Sequence, residues 1–218
     1  MLLAGGWRAA AGHLRREWRA VLAAACSFAG YPATSHLPGL KARTMPDLAL
    51  DRAIPLLPWT AYVYVSLYPL LLFNLAYLLP RPRALRALAD AVTLANAGSS
   101  AIFALWRTAI ERPPLAPGPG AKLLAGVRRI DPPYNAMPSL HVAYGVLLAW
   151  AHLRLQSPPA PALALWSAAV VASTLSTKQH RSLDLLGGAA LALLAGAPTI
   201  ARLSPADWAP RAAWRDSL

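Results

Sequence analysis

Three short stretches of this chain carry side chains that apolar surroundings do not ordinarily hold. Ser173 to Asp184 reads S-T-L-S-T-K-Q-H-R-S-L-D and places Lys178, His180 and Asp184 between two long apolar runs. Asn135 to His141 reads N-A-M-P-S-L-H, and Glu111 to Pro114 reads E-R-P-P. Ionisable groups at membrane depth are costly and mark functional sites. His180 and Asp184 are four positions apart, so a helix opening near His180 sets them on one face, one turn apart. A carboxylate placed there can hold one ring nitrogen and leave the other as a free lone pair. His141 adds a second titratable group. Arg112 and Lys178 add fixed positive charge where an anion would sit. Ser139 either caps the helix that follows it or contacts the same anion. Two histidines, an orienting acid and two cations make a phosphoryl-transfer site that needs no metal and no cofactor. A metal site built on His141, His180 and Asp184 is the weaker reading, because no H-E-x-x-H is present and one of the histidines is distant in sequence.

Such groups need elements to carry them. Of 218 residues, 56% are hydrophobic and 14% charged, with mean hydropathy +0.39. A soluble domain averages ~25% charged, so the composition points to a single all-α, polytopic membrane helical bundle. Apolar runs at residues 20–37, 56–79, 88–110, 139–155, 162–177 and 181–203 give about six transmembrane helices. The run at 56–79 is the clearest, with 24 residues free of charge. The run at 20–37 is the weakest, Ala-rich with Gly30 and Pro32. A basic region before an apolar run also fits a signal peptide, but the length of this basic region favours a retained span. The expected organisation is a basic amphipathic segment at 1–19, a six-helix membrane domain at 20–203 and a polar tail at 204–218. Pro38 to Pro55 and Glu111 to Pro138 read as loops.

The net charge of +12 lies mainly at the ends of the apolar runs. That is where anionic headgroups and cytoplasmic anchoring place it, and no basic run alternates with aromatics as nucleic-acid binding would require. The bilayer is therefore the expected partner, and nucleic acid is not. The lone Cys26 excludes an internal disulfide and a cysteine zinc site, and reads as a packing residue. Arg107 reads as a snorkelling end residue, Asn135 as a loop-fixing Asx residue, and His13, His36 and His152 as solvent or interface groups. Trp7, Trp18, Trp208 and Trp214 read as interfacial. Arg81, Arg83 and Arg86 share one tight turn and put that turn, with both termini, on the cytoplasmic side. The three unusual stretches then meet on the opposite face.

P-S-L-H followed by S-x6-H-x3-D resembles the type 2 phosphatidic acid phosphatase superfamily, which includes bacterial haloperoxidases. The usual signatures there are K-x6-R-P, P-S-x-H and S-R-x5-H-x3-D. Pro138 to His141 matches the second, while Ser173, His180 and Asp184 match the third at the right spacing. Arg112-Pro113 matches the end of the first. The lysine of the first signature falls on Leu105 and the arginine of the third on Thr174, and Lys178 stands where glycine is usual. These departures resemble the branch containing inositol phosphorylceramide synthases and sphingomyelin-synthase-like enzymes, to which N-A-M-P-S-L-H-V and T-K-Q-H are similar, with Arg181 where an aromatic is common. The resemblance spans roughly Leu56 to Leu203.

It implies that His180 attacks phosphorus and forms a phosphohistidine, that Asp184 orients His180, and that His141 protonates the leaving alkoxide and then activates water or an alcohol. Arg112, Lys178 and Ser139 would hold the phosphate oxygens. The implied function is a lipid phosphate phosphatase or phosphotransferase acting on phosphatidic acid, polyprenyl diphosphate or a similar lipid, with headgroup transfer as the alternative. The implied location is a bacterial cytoplasmic membrane, with the site on the outer face. A transporter or scaffold is the competing class, since intramembrane charges also mark transport paths, but here the charges gather at one face and not at the midplane.

Overall fold

The computed structural model describes residues 17–35, 37 and 41–208. Residues 17–27 form a helix, α1. It is followed by α2 (Gly30–Ser35), α3 (Ala49–Ala53), α4 (Ala61–Val65), α5 (Leu67–Leu78), α6 (Pro82–Leu105), α7 (Ala121–Ile130), α8 (Leu140–Leu155), α9 (Ala160–Ser176) and α10 (Ser182–Gly196). Two-residue strands β1 (Arg43–Thr44) and β2 (Thr108–Ala109) pair in parallel, with Arg43 opposite Thr108. The fold is thus mostly helical.

The centre of the bundle is α8, which packs against α9, α10 and α6. Its apolar residues face nearly all directions, as a helix buried on every side requires. Leu147, Leu148, Ala151 and Leu155 are buried with Leu85, Val92 and Phe103 of α6 and with Leu163, Val170 and Ala192 of the flanking helices. Pro82 opens α6, a position where its fixed φ and missing N–H cost nothing. Among the described residues, two helical stretches are long and apolar enough to cross a membrane, Pro58–Leu78 and Pro82–Leu105. α8, α9 and α10 are apolar but shorter, with 16, 17 and 15 residues.

Several expectations are corrected. The third apolar run starts its helix at Pro82 and ends it at Leu105. The chain then becomes extended, because β2 pairs with β1 and Thr108 Oγ1 accepts the Met137 N–H at 2.8 Å. Glu111 to Pro114 therefore follows an extended segment and not a helix end. The loop before α8 contains α7, whose Leu124 is buried while Lys122 and Arg129 face outward. Gly120 opens α7 at φ 75 directly under Pro58 and Trp59, where a Cβ would overlap their backbone.

Arg107 does not snorkel. It is 9% exposed, donates to the carbonyls of Ser35 and Leu37, and lies 4.2 Å over the Tyr134 ring. Buried carbonyls need donors, and this guanidinium supplies them. His152 is fully buried and not an interface group. Its two nitrogens find partners inside, so burial costs it no hydrogen bond. Cys26 is exposed, on the outward side of α1, and not a packing residue. Trp208 stacks under Arg81, 3.5 Å from guanidinium carbon to ring centre. His13, His36, Trp7 and Trp214 lie outside the described residues, as does most of the 1–19 segment and of the tail.

Candidate active site

The turn between α9 and α10 is built from main-chain bonds. The N–H groups of Gln179 and His180 both donate to the Thr174 carbonyl at 3.1 Å, and that of Thr177 donates to Ser173 at 2.9 Å. Closing the helix this way requires a left-handed residue. Lys178 takes that position at φ 55, at a cost of about 1–2 kcal/mol for a residue with a Cβ. Thr174, the position of the missing superfamily arginine, is fully buried with its hydroxyl on Val171 O, so it anchors His180 through its carbonyl alone. Arg181 then caps α10. Its N–H donates to Asp184 Oδ2 at 2.8 Å, half of a capping box, and this fixes Asp184 one turn in.

His180 Nδ1 lies 3.1 Å from the Ala136 carbonyl and 3.6 Å from Asp184 Oδ2. A carbonyl only accepts, so the ring proton sits on Nδ1 and Nε2 carries the lone pair. The expected hydrogen bond between His180 and Asp184 is thus an approach at 3.6 Å that becomes an ion pair only when the ring is charged, and the carbonyl of the N-A-M-P stretch sets the tautomer. Asp184 is fully buried, and among the described residues its Oδ1 has no hydrogen-bond partner.

Ser139 caps α8. Its Oγ accepts the Val142 N–H at 3.4 Å, its own N–H donates to the Asp184 carbonyl at 3.0 Å, and the residue is fully buried. Against its carbonyl lies Gly188 of α10, where a Cβ would overlap it. His141, in the first turn of α8, stacks on Tyr64 at 4.0 Å with Nδ1 3.4 Å from the phenol oxygen. Its Nε2 is buried without a partner among the described residues. The His141 and His180 ring centres are 6.0 Å apart.

A cleft of about 550 Å³ opens beside His180. Arg112, Lys178 and Arg181 line it, with Asp51 and Glu111 and an apolar wall of Ile54, Leu56 and Ile110. His141 is next to His180 but not in this lining. Arg112 Nη1 donates to the Asp131 carbonyl at 2.6 Å and Nη2 lies 3.4 Å from Asp131 Oδ2. Arg128 of α7 donates to Pro113 O at 2.7 Å and Thr177 O at 3.3 Å. Burial, and then the charge of Arg112, hold the Arg128 guanidinium below its usual range. Two guanidiniums crowded in this way favour an anion between or beside them.

Lys178 Nζ donates to the carbonyls of Asp51 and Ile54, both at 2.5 Å, closing the C-terminal end of α3. Asp51 Oδ1 accepts from Ser182 N at 2.7 Å and Ser182 Oγ at 2.6 Å, and its Oδ2 accepts from Leu48 N at 3.0 Å. Burial works against the Asp51 carboxylate, but the bonds from Ser182 and Leu48 and the charge of Arg181 hold it below its ordinary 3.8. Arg181 Nη1 reaches Asp47 Oδ1 at 2.5 Å, close in distance but not aligned as a hydrogen bond. Residues 47–55 thus form a strap tied to the 178–182 turn.

All three unusual stretches come together at one end of the bundle. Asp51, Asp131, Tyr64 and Arg128 were not singled out by sequence, because their partners lie far along the chain and no local pattern marks them. Among the described residues, no group of three or more His, Cys, Asp or Glu is placed to hold a metal ion. The family model described as PAP2 superfamily matches residues 39–197. No curated protein and no solved structure gives a significant match.

Proposed function

Because the chain belongs to the PAP2 superfamily, we propose that it is a membrane-embedded lipid phosphate phosphatase or phosphotransferase working through a phosphohistidine. The observation that carries this reading is His180: its Nδ1 proton is committed to the Ala136 carbonyl, its Nε2 lone pair is free, and it lines a cleft beside Arg112. Nε2 attacks phosphorus, the bond to the leaving alkoxide breaks, and His141 gives that oxygen a proton. The positive charge that develops on His180 is offset by Asp184 at 3.6 Å. In the second half water or an alcohol gives its proton to His141 and attacks phosphorus, and the N–P bond breaks.

Arg112 contacts the phosphate oxygens directly. Lys178 adds charge from the turn that holds the strap, and Ser139 acts by fixing the first turn of α8. Phosphatidic acid and polyprenyl diphosphate are the substrates to test, and the bilayer supplies them laterally past Ile54, Leu56 and Ile110. In this reading α1–α2, Pro58–Leu78, α6, α8, α9 and α10 are six membrane crossings, in a bacterial cytoplasmic membrane with the cleft on the outer face. Transfer to a headgroup alcohol is the second reading, favoured by T-K-Q-H at Thr177 to His180. Labelled lipid phosphates incubated with and without inositol separate water from alcohol as acceptor. His180→Ala is expected to abolish phosphate release, and turnover retained by that variant overturns the phosphohistidine.

A further inference from the structure

The family match begins at residue 39, yet an element before it reaches the site. Tyr31 of α2 donates its hydroxyl to Asp131 Oδ1. The same aspartate holds Arg112 twice, through its carbonyl at 2.6 Å and its Oδ2 at 3.4 Å. Its carboxylate is therefore gripped from one side by a phenol 100 positions away and from the other by a guanidinium 19 positions away. An aspartate held on one oxygen alone can swing about χ2, which is broad for this residue, and Nη2 of Arg112 would then keep only the Pro132 carbonyl at 3.4 Å, with Nη1 on the Asp131 carbonyl. Held on both oxygens, it fixes the plane of Arg112, whose Nε–H has no partner among the described residues.

The place of α2 is itself over-determined. Gly30 lies against Ser100 of α6, where a Cβ would overlap the hydroxyl. The Tyr31 ring meets Phe103 edge-on at 5.9 Å. Asn135, held at φ 57, donates to Thr34 Oγ1 at 3.0 Å and Ser35 Oγ at 2.9 Å. Arg107 donates to the Ser35 carbonyl. The stretch that ends in Pro138-Ser139-Leu140-His141 and the segment that leads to Arg112 are both pinned to α2. Packing on Phe103 needs only the ring of Tyr31, whereas the hydroxyl is placed on the acid that holds Arg112.

We propose that Tyr31 is a positioning residue for phosphate recognition, fixing the Arg112 guanidinium through Asp131. The inference rests on the phosphate site proposed above. The test is Tyr31→Phe in the full chain in detergent, which keeps the ring on Phe103 and removes only the hydroxyl. KM for phosphatidic acid and the inhibition constant of orthovanadate are both expected to rise about tenfold, the size of a lost hydrogen bond at a charged group, with kcat moving less. Asp131→Asn is expected to do the same or more. The double variant is expected to match Asp131→Asn alone, because both changes act on one chain of contacts. KM and inhibition constants do not depend on the fraction of folded enzyme, so partial unfolding cannot mimic the result.

If the parent turns over, His180→Ala does not, and Tyr31→Phe is indistinguishable from the parent, the positioning role alone is overturned. Additive losses in the double variant overturn it as well. A parent that neither turns over a lipid phosphate nor binds vanadate overturns the proposed function, and this inference with it.

Discussion

His141 and His152 lie on the same helix, three turns and about 16 Å apart, and so on nearly the same face. Both meet a tyrosine ring, Tyr64 at 4.0 Å and Tyr77 at 6.0 Å. They differ in what their nitrogens do. His152 is bonded at both, to Ser157 Oγ at 2.7 Å and to Asn74 Oδ1 at 2.6 Å, and Asn74 completes itself on the Leu70 carbonyl. His141 leaves Nε2 buried and unpartnered among the described residues, with the His180 ring 6.0 Å away, and Asp184 and Gln179 on the neighbouring turn also keep buried atoms without partners. A satisfied polar network rigidifies a core, while unsatisfied groups gathered in one place are held ready for something else. One end of α8 has its polar groups paired, and the other holds the unpaired groups that the proposed reaction would use.

The comparison can be broken most directly at His141. His141→Gln is expected to lower kcat on a lipid phosphate by roughly 10²- to 10⁴-fold, the usual contribution of a general acid and base, with little change in melting temperature. Single-turnover kinetics on the purified variant reads this. His152→Leu is expected to behave in the opposite way. It strands Asn74 Oδ1 and Ser157 Oγ, at about 1–3 kcal/mol each, and lowers the thermal midpoint by several degrees while kcat per folded molecule holds. If His152→Leu lost activity without losing stability, the division between the two ends of α8 would fail.

The smallest effect concerns the strap. Asp51 is held below its ordinary 3.8, so its stabilising contribution is complete above that ordinary value and is lost only as the pH falls through the depressed one. Melting temperature followed from neutral pH into acid should therefore drop more in the parent than in Asp51→Asn, which cannot titrate. Parallel curves would show that Asp51 does not hold the strap by its charge.

Much of the candidate site was legible because its residues are close in sequence. His180 and Asp184 fall one helical turn apart, and P-S-L-H announces both the cap and the first turn of α8. What was not legible depends on distance along the chain. The partner of Asp51 is Ser182, 131 positions away, and that of Tyr31 is Asp131, 100 positions away. No periodicity marks either. Arg107 was misread because an arginine after an apolar run ordinarily snorkels, and only the turn of the chain at Trp106 places it against α2. His152 was misread because both its partners, Asn74 and Ser157, are uncharged and look unremarkable in sequence. Lys178 was read as fixed positive charge for an anion, and its amine donates to two carbonyls of the strap, which no local pattern announces.

Where α8 and α10 begin, they meet main chain to main chain: the Ser139 N–H rests on the Asp184 carbonyl, and Gly188 leaves no space between itself and Ser139. The separation of the two histidines is therefore set by main-chain contact, and it depends on a side chain where Gly188 must carry none. Elsewhere the apolar helices can exchange one aliphatic side chain for another and settle by small shifts. Such drift does not reach this joint. The bundle can be rewritten residue by residue over its outer and core surfaces while His141 and His180 keep their spacing, so the geometry of this end is carried by the backbone and the surroundings are left to vary.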